Sequence, residues 1–135
     1  VLSAFRTSAE GLLRHAASGD LADRIIDQIG RGVSTAERRS WERSLPVLGQ
    51  DLVDAGLGQV EMLVEYQLPL TSKRVDVVLA GTHPQTDEDS YVVVELKQWS
   101  RAESYEGSDR LVLVEHVHRP RLHPGMQVGD YCEYL

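Results

Sequence analysis

Two apolar runs constrain this chain more than anything else in it. VDVVLAG (75–81) and SYVVVELKQ (90–98) are rich in β-branched residues and are joined through the polar stretch GTHPQTDEDS. Runs of this kind, bounded by turn-forming residues, read as strands, and a connection of this length suits an antiparallel pair. With Ala80 opposite Tyr91, each step back along one strand is a step forward along the other. That register sets Asp76 against Glu95. If the second strand spans 91–97, the two-residue period also puts Glu95 and Lys97 on one face. Three charged side chains therefore gather at one end of two otherwise apolar strands, where charge is seldom buried without a need for it.

Before Gln59 the apolar residues recur at helical spacing instead. Residues 3–17 predict a helix carrying Phe5, Leu12, Leu13 and Ala16, with Gly19 as its stop. Asp20 is placed to cap a second helix bearing Leu21, Ile25, Ile26 and Ile29, ended by Gly30 and Gly32. Ser34 followed by Glu37 fits a capping box. It opens a third helix with Trp41, Leu45, Leu48, Leu52 and Val53 inside, which Pro46 is expected to kink or split. Gly56 and Gly58 close this helical half, residues 1–58. In residues 59–135, QVEMLVEYQLPL and RLVLVEHVH add strands to the two already described, and HPGMQVGDYCEYL returns to helix. The expectation is one α/β domain, a mixed central sheet of about four strands flanked by helices. VGDYCEYL reads as the middle of a helix, so the natural protein is expected to continue past Leu135.

The net charge of −7 rules out a general polyanion binder. Contact with nucleic acid would need a local basic patch or a metal ion. The one cysteine, Cys132, and the lack of zinc-type Cys/His spacing suit a reducing cytosol. No run approaches the roughly 20 apolar residues that span a bilayer, and there is no signal peptide, so a cytoplasmic protein without membrane contact is expected.

Two carboxylates side by side repel each other unless a cation intervenes. A hard divalent ion such as Mg²⁺ or Mn²⁺ is the natural one for oxygen ligands, and a nearby lysine can orient or help deprotonate the water it activates. Such a set can hydrolyse a phosphodiester. RVDVVL (Asp76) followed by VVVELK (Glu95, Lys97) resembles the PD-(D/E)XK nuclease superfamily, with Val75 where the superfamily's name has proline. Gln127 and Tyr131, four apart and so on one helical face, look like the Gln-X-X-X-Tyr motif of RecB-like members. EYQLPLTSKRVDVVLAG, YVVVELKQWS and HPGMQVGDYCEYL together resemble the nuclease-type domain that precedes a P-loop ATPase/helicase module in bacterial Schlafen-like helicases. No Gly-rich phosphate loop is present in this chain.

The resemblance implies a restriction-endonuclease-like core. It implies metal held by Asp76, Glu95 and the Leu96 carbonyl, a water-positioning Lys97, and Gln127 and Tyr131 orienting Lys97 or the phosphate's neighbours. It also implies a nucleic-acid substrate, DNA before RNA, products with a 5′-phosphate, a C-terminal ATPase/helicase module as partner, and a role in defence against foreign DNA or in repair. Glu65 is a further metal ligand or a solvated strand residue, with Glu37 and Glu42 as rivals for that extra acid. Lys73 and Arg74 are placed for a phosphate-contacting rim and Trp99 for a substrate contact, while Trp41 reads as core. Arg31, Arg38, Arg39 and Arg43 read as solvated charge. His116 and His118 read as one polar sheet face, and His123 as a turn or cap. The alternative function is a nuclease-like fold without catalysis, serving as a nucleic-acid-binding or regulatory module.

Overall fold

The protein is seen in a computed structural model that describes residues 4–115, 117 and 119–135. The chain runs β1 (Phe5–Ser8), α1 (Ala9–Ser18), α2 (Leu21–Ile29), α3 (Thr35–Asp54), β2 (Glu61–Gln67), β3 (Arg74–Thr82) and β4 (Asp89–Val94). It continues through β5 (Ala102–Ser104), β6 (Leu111–Val114), β7 (Arg121–Leu122) and α4 (Pro124–Cys132). Among the described residues the fold is mixed α/β, with four helices and a four-stranded antiparallel sheet.

Local chemistry sets the helix ends. Ser8 caps α1 by accepting from the Gly11 N–H at 3.0 Å, and α1 ends where Gly19 takes a left-handed φ of 80°. The helix expected from residue 3 thus begins at Ala9. The preceding residues instead pair with β2, Phe5 facing Val64 and Ser8 facing Glu61, and cover an edge whose backbone groups would otherwise lack partners. The first half is therefore not purely helical. Asp20 sits at the N-cap of α2, but its carboxylate accepts from Ser18 and Arg24 rather than from the helix backbone. At α3 the capping box forms as the sequence implies: Ser34 Oγ accepts from the Glu37 N–H and Glu37 accepts from the Ser34 N–H, both at 3.1 Å. Pro46 does not split α3, which runs unbroken from Thr35 to Asp54. Leu45, Leu52 and Trp41 bury one side of it, and that packing outweighs the hydrogen bond proline cannot make.

The sheet order is β1-β2-β3-β4, and every neighbouring pair is antiparallel, not mixed. The β3–β4 register matches Ala80 with Tyr91, as the hairpin length predicts. The fourth place belongs to β1. The strand expected from RLVLVEHVH forms over Leu111–Val114 and does not join this sheet, because β6 pairs with the short β5 and β7 in a separate three-stranded sheet. Near the chain's end α4 runs from Pro124 to Cys132, with Glu133 as its C-cap.

Helices α1–α3 pack on one face of the main sheet. Leu12, Ile25 and Leu45 meet Met62, Val64 and Val77 in a shared buried cluster, each large side chain contributing about 1.5–3 kcal/mol by leaving water. The other face carries a smaller cluster, Leu68, Val75 and Val78, against which Tyr131 of α4 packs. One end of the sheet is thus approached from both sides.

Candidate functional site

The last backbone pair of the β3–β4 ladder is Val77 with Val94. One step further the register would pair Asp76 with Glu95, and there a side chain takes over from the backbone. Asp76 Oδ2 accepts the Leu96 N–H at 2.8 Å. Strand β4 consequently ends at Val94 and does not extend to residue 97. The chain beyond it is tied to α3 by Gln98 Nε2, which donates to Ser44 Oγ at 2.9 Å and the Ser40 carbonyl at 3.3 Å.

The side-chain alternation of the strands breaks at this level. On β3, Val77 joins the cluster under the helices while Val75 and Val78 join the one on the opposite face. On β2, Val64 and Glu65 are buried in succession, and Glu65 has a left-handed φ of 57°. For a side chain with a Cβ such a conformation costs on the order of 1–3 kcal/mol and persists only when its surroundings enforce it. Here Arg74 Nη1 donates to the Glu65 carbonyl at 2.7 Å, and Trp41 Nε1 donates to Glu65 Oε1 at 3.0 Å. The kink turns the carboxylate toward α3. Glu65, Asp76, Glu95, Leu96 and Trp41 then line one cavity of ≈ 190 Å³.

Glu95 is the best-connected of these acids. Lys97 Nζ lies 3.0 Å from its Oε1, with the Glu95 side chain 7% exposed and that of Lys97 29%. From the other face of the sheet, Gln127 Nε2 donates to the same Oε1 at 2.8 Å and to the Tyr131 hydroxyl oxygen at 2.7 Å. Glu95 Oε2 is buried with no hydrogen-bond partner among the described residues. Burial, reinforced by the charge of Asp76, pushes the Glu95 carboxyl above its ordinary range, with Lys97 opposing. Burial also raises Glu65, against the Trp41 hydrogen bond that favours its charged form. Both carboxyls in this cavity are thus biased toward their neutral forms unless a cation joins them.

The five residues proposed from sequence to carry chemistry, Asp76, Glu95, Lys97, Gln127 and Tyr131, are thus joined by hydrogen bonds and an ion pair around Glu95 and Leu96. Glu65 lies in the same cavity. Of its rivals, Glu37 lines the same cavity but is held by Arg31 at 3.1 Å, which pulls it below its ordinary range, and Glu42 pairs with Arg38 at 3.3 Å. Arg74 braces the Glu65 kink as well as standing beside the site, and Lys73 is exposed in the β2–β3 turn. Trp99 lies under Lys97, whose Nζ is 5.6 Å from the ring centroid. His123 caps α4, its Nδ1 accepting from the Gly125 N–H at 2.9 Å. His116 and His118 lie outside the described residues. Spacing did not point to Trp41 as a partner of Glu65, 24 residues away, to Arg31 at 3.9 Å from that carboxylate, or to the Gln98 tie.

The donor set fits a hard divalent ion. Asp76 and Glu95 supply oxygens, one of them buried without a partner among the described residues, and Leu96 lines the same cavity. Among the described residues no three His, Cys, Asp or Glu side chains form a complete metal-binding group, and Mg²⁺ in particular keeps several waters and needs only one or two carboxylates. No helix among the described residues is long and apolar enough to cross a membrane. No known protein family, curated protein or solved structure matches the chain.

Proposed function

We propose that this protein is a divalent-metal-dependent nuclease domain of the PD-(D/E)XK type, with a restriction-endonuclease-like core, cutting DNA or RNA. The observation that carries the reading is the convergence on Glu95. Lys97 from the same strand end and Gln127 from α4 both reach its Oε1, at 3.0 and 2.8 Å, beside an Asp76 fixed through the Leu96 N–H.

Asp76, Glu95 and the Leu96 carbonyl would hold Mg²⁺ or Mn²⁺, with Glu65 adding negative charge behind them. Bound there, the ion would lower the pKa of water and offset the charge that builds on the phosphate. Lys97 Nζ would hold the attacking water by hydrogen bonding. Gln127, itself positioned by Tyr131, fixes the Glu95 rotamer so that the acid need not reorganise during reaction. Water oxygen would bond to phosphorus as the P–O3′ bond breaks, giving a 5′-phosphate and a 3′-hydroxyl. The domain would serve in the cytoplasm beside an ATPase/helicase module.

The test is incubation of single- and double-stranded DNA and RNA with Mg²⁺ or Mn²⁺, alongside Asp76→Ala and Lys97→Ala. Cutting by the parent, lost in both variants, is the expected result. Equal cutting by all three would remove the assignment. Nucleic-acid binding without cutting, both alone and with the ATPase/helicase module and ATP, would favour a binding or regulatory role.

A further inference from the structure

A groove of ≈ 500 Å³ opens beside the acidic cavity and shares Ser44 and Leu96 with it. One wall is a single row of α3, Arg43, Val47 and Asp51, spaced four apart so that they lie along one helix face. The other wall is the chain just past β4, Leu96 to Gln98. The Gln98 tie to Ser40 and Ser44 lies where the two spaces meet. Among the described residues Arg43 forms no side-chain hydrogen bond or ion pair, and neither does Arg39, one turn before it. Their neighbours Arg31 and Arg38 are both paired with acids. Val47 stands 61% exposed in the middle of the groove.

Building on the nuclease reading, we infer that this groove is the track for an unpaired nucleic-acid strand. Arg43 takes a phosphate next to the one entering the acidic cavity, and Val47 with Leu48 gives an apolar seat to an unstacked base or its sugar. Three features favour a single strand over a duplex. An apolar seat is of use only to a base whose face is free, as it is in a single strand. The unpaired arginine stands on one wall only, since Lys97 on the other is held by Glu95, which matches one backbone rather than two. The chain's net charge of −7 would repel the second strand of a duplex. Asp51, at the far end of the same row, turns the strand out to solvent by repulsion.

The test is fluorescence anisotropy of a labelled short oligothymidylate and of a duplex of equal length, in EDTA so that no cutting occurs. One phosphate contact to a single strand contributes a slope of about 0.7 in log affinity against log salt, which at about 0.1 M salt is roughly fivefold. Arg43→Ala is expected to lose about that factor and to flatten the salt slope by about 0.7. Arg43→Lys should restore both, and Val47→Ser should weaken binding without changing the slope. Arg24→Ala, the same charge change on α2, should leave binding as in the parent. Circular dichroism of each variant checks that it is folded. Equal binding by Arg43→Ala and the parent, tighter binding of the duplex, or no binding of any oligonucleotide would overturn the groove. Binding through Arg43 with no cutting when Mg²⁺ is added supports the groove and removes only the hydrolysis reading.

Discussion

Removing the Lys97 ammonium probes the link between the buried Glu95 carboxylate and the cation 3.0 Å from it. The pair is 3.0 Å apart, with the Glu95 side chain 7% exposed and Lys97 29%. Exposed pairs contribute about 0–1 kcal/mol, whereas removing one partner of a buried pair costs about 3–5. With one partner buried and the other partly open, Lys97→Met should cost about 2 kcal/mol near neutral pH. For a chain of 135 residues, that corresponds to a Tm fall of about 6–8 °C. In a Glu95→Gln background the same change should cost about 0.5 kcal/mol or less, because no buried charge is left stranded. The assay is a double-mutant cycle by urea denaturation, repeated under acid conditions where protonated Glu95 should erase the difference. Equal costs of Lys97→Met in both backgrounds would refute the reasoning, since the loss would then be one of packing.

Further outcomes follow from the same geometry. Glu65 and Glu95 both have folded-state pKa values above the ordinary 4.5. The folded protein thus holds their protons more tightly, and they contribute stability as pH falls from the raised values toward 4.5 that is absent above them. Glu65→Gln should therefore be more stable than the parent near neutrality, with the gain shrinking on acidification in paired thermal melts. Glu37, drawn down by Arg31, acts with the opposite sign and is unchanged in both proteins. Trp41→Phe removes the donor 3.0 Å from Glu65 Oε1 and should cost about 1–3 kcal/mol, the price of a buried acceptor without its partner; urea midpoints read it, and it should shrink in Glu65→Gln. Ser34→Ala breaks the α3 capping box and should cost about 1 kcal/mol by the same measurement, with no effect on metal binding.

The hairpin was legible because a two-residue period and a loop length fix a register, and Ala80 does face Tyr91. The same arithmetic brought Asp76 level with Glu95. It missed the early end of β4, since an Asp side chain taking the Leu96 N–H looks in sequence like any strand residue. Residues 5–8 looked helical because FRTSAEGLL keeps helical spacing, and only the edge of β2 decides otherwise. The left-handed Glu65 was beyond reach for the same reason. Nothing in VEYQ marks it, and the groups that enforce it, Trp41 and Arg74, act through tertiary contact. Gln127 and Tyr131 were legible as a helical pair, but their reach to Glu95 depends on α4 packing through Tyr131 on the far face of the sheet.

The central claim is that Asp76 and Glu95 form a divalent-cation site, and calorimetric titration of the protein with Mn²⁺ tests it most directly. The account predicts saturable binding by the parent that Asp76→Asn and Glu95→Gln each abolish. It also predicts a rise in stability with added metal, about 2.7 kcal/mol at one hundred times the Kd. No binding by the parent, or binding that survives both substitutions, would contradict it.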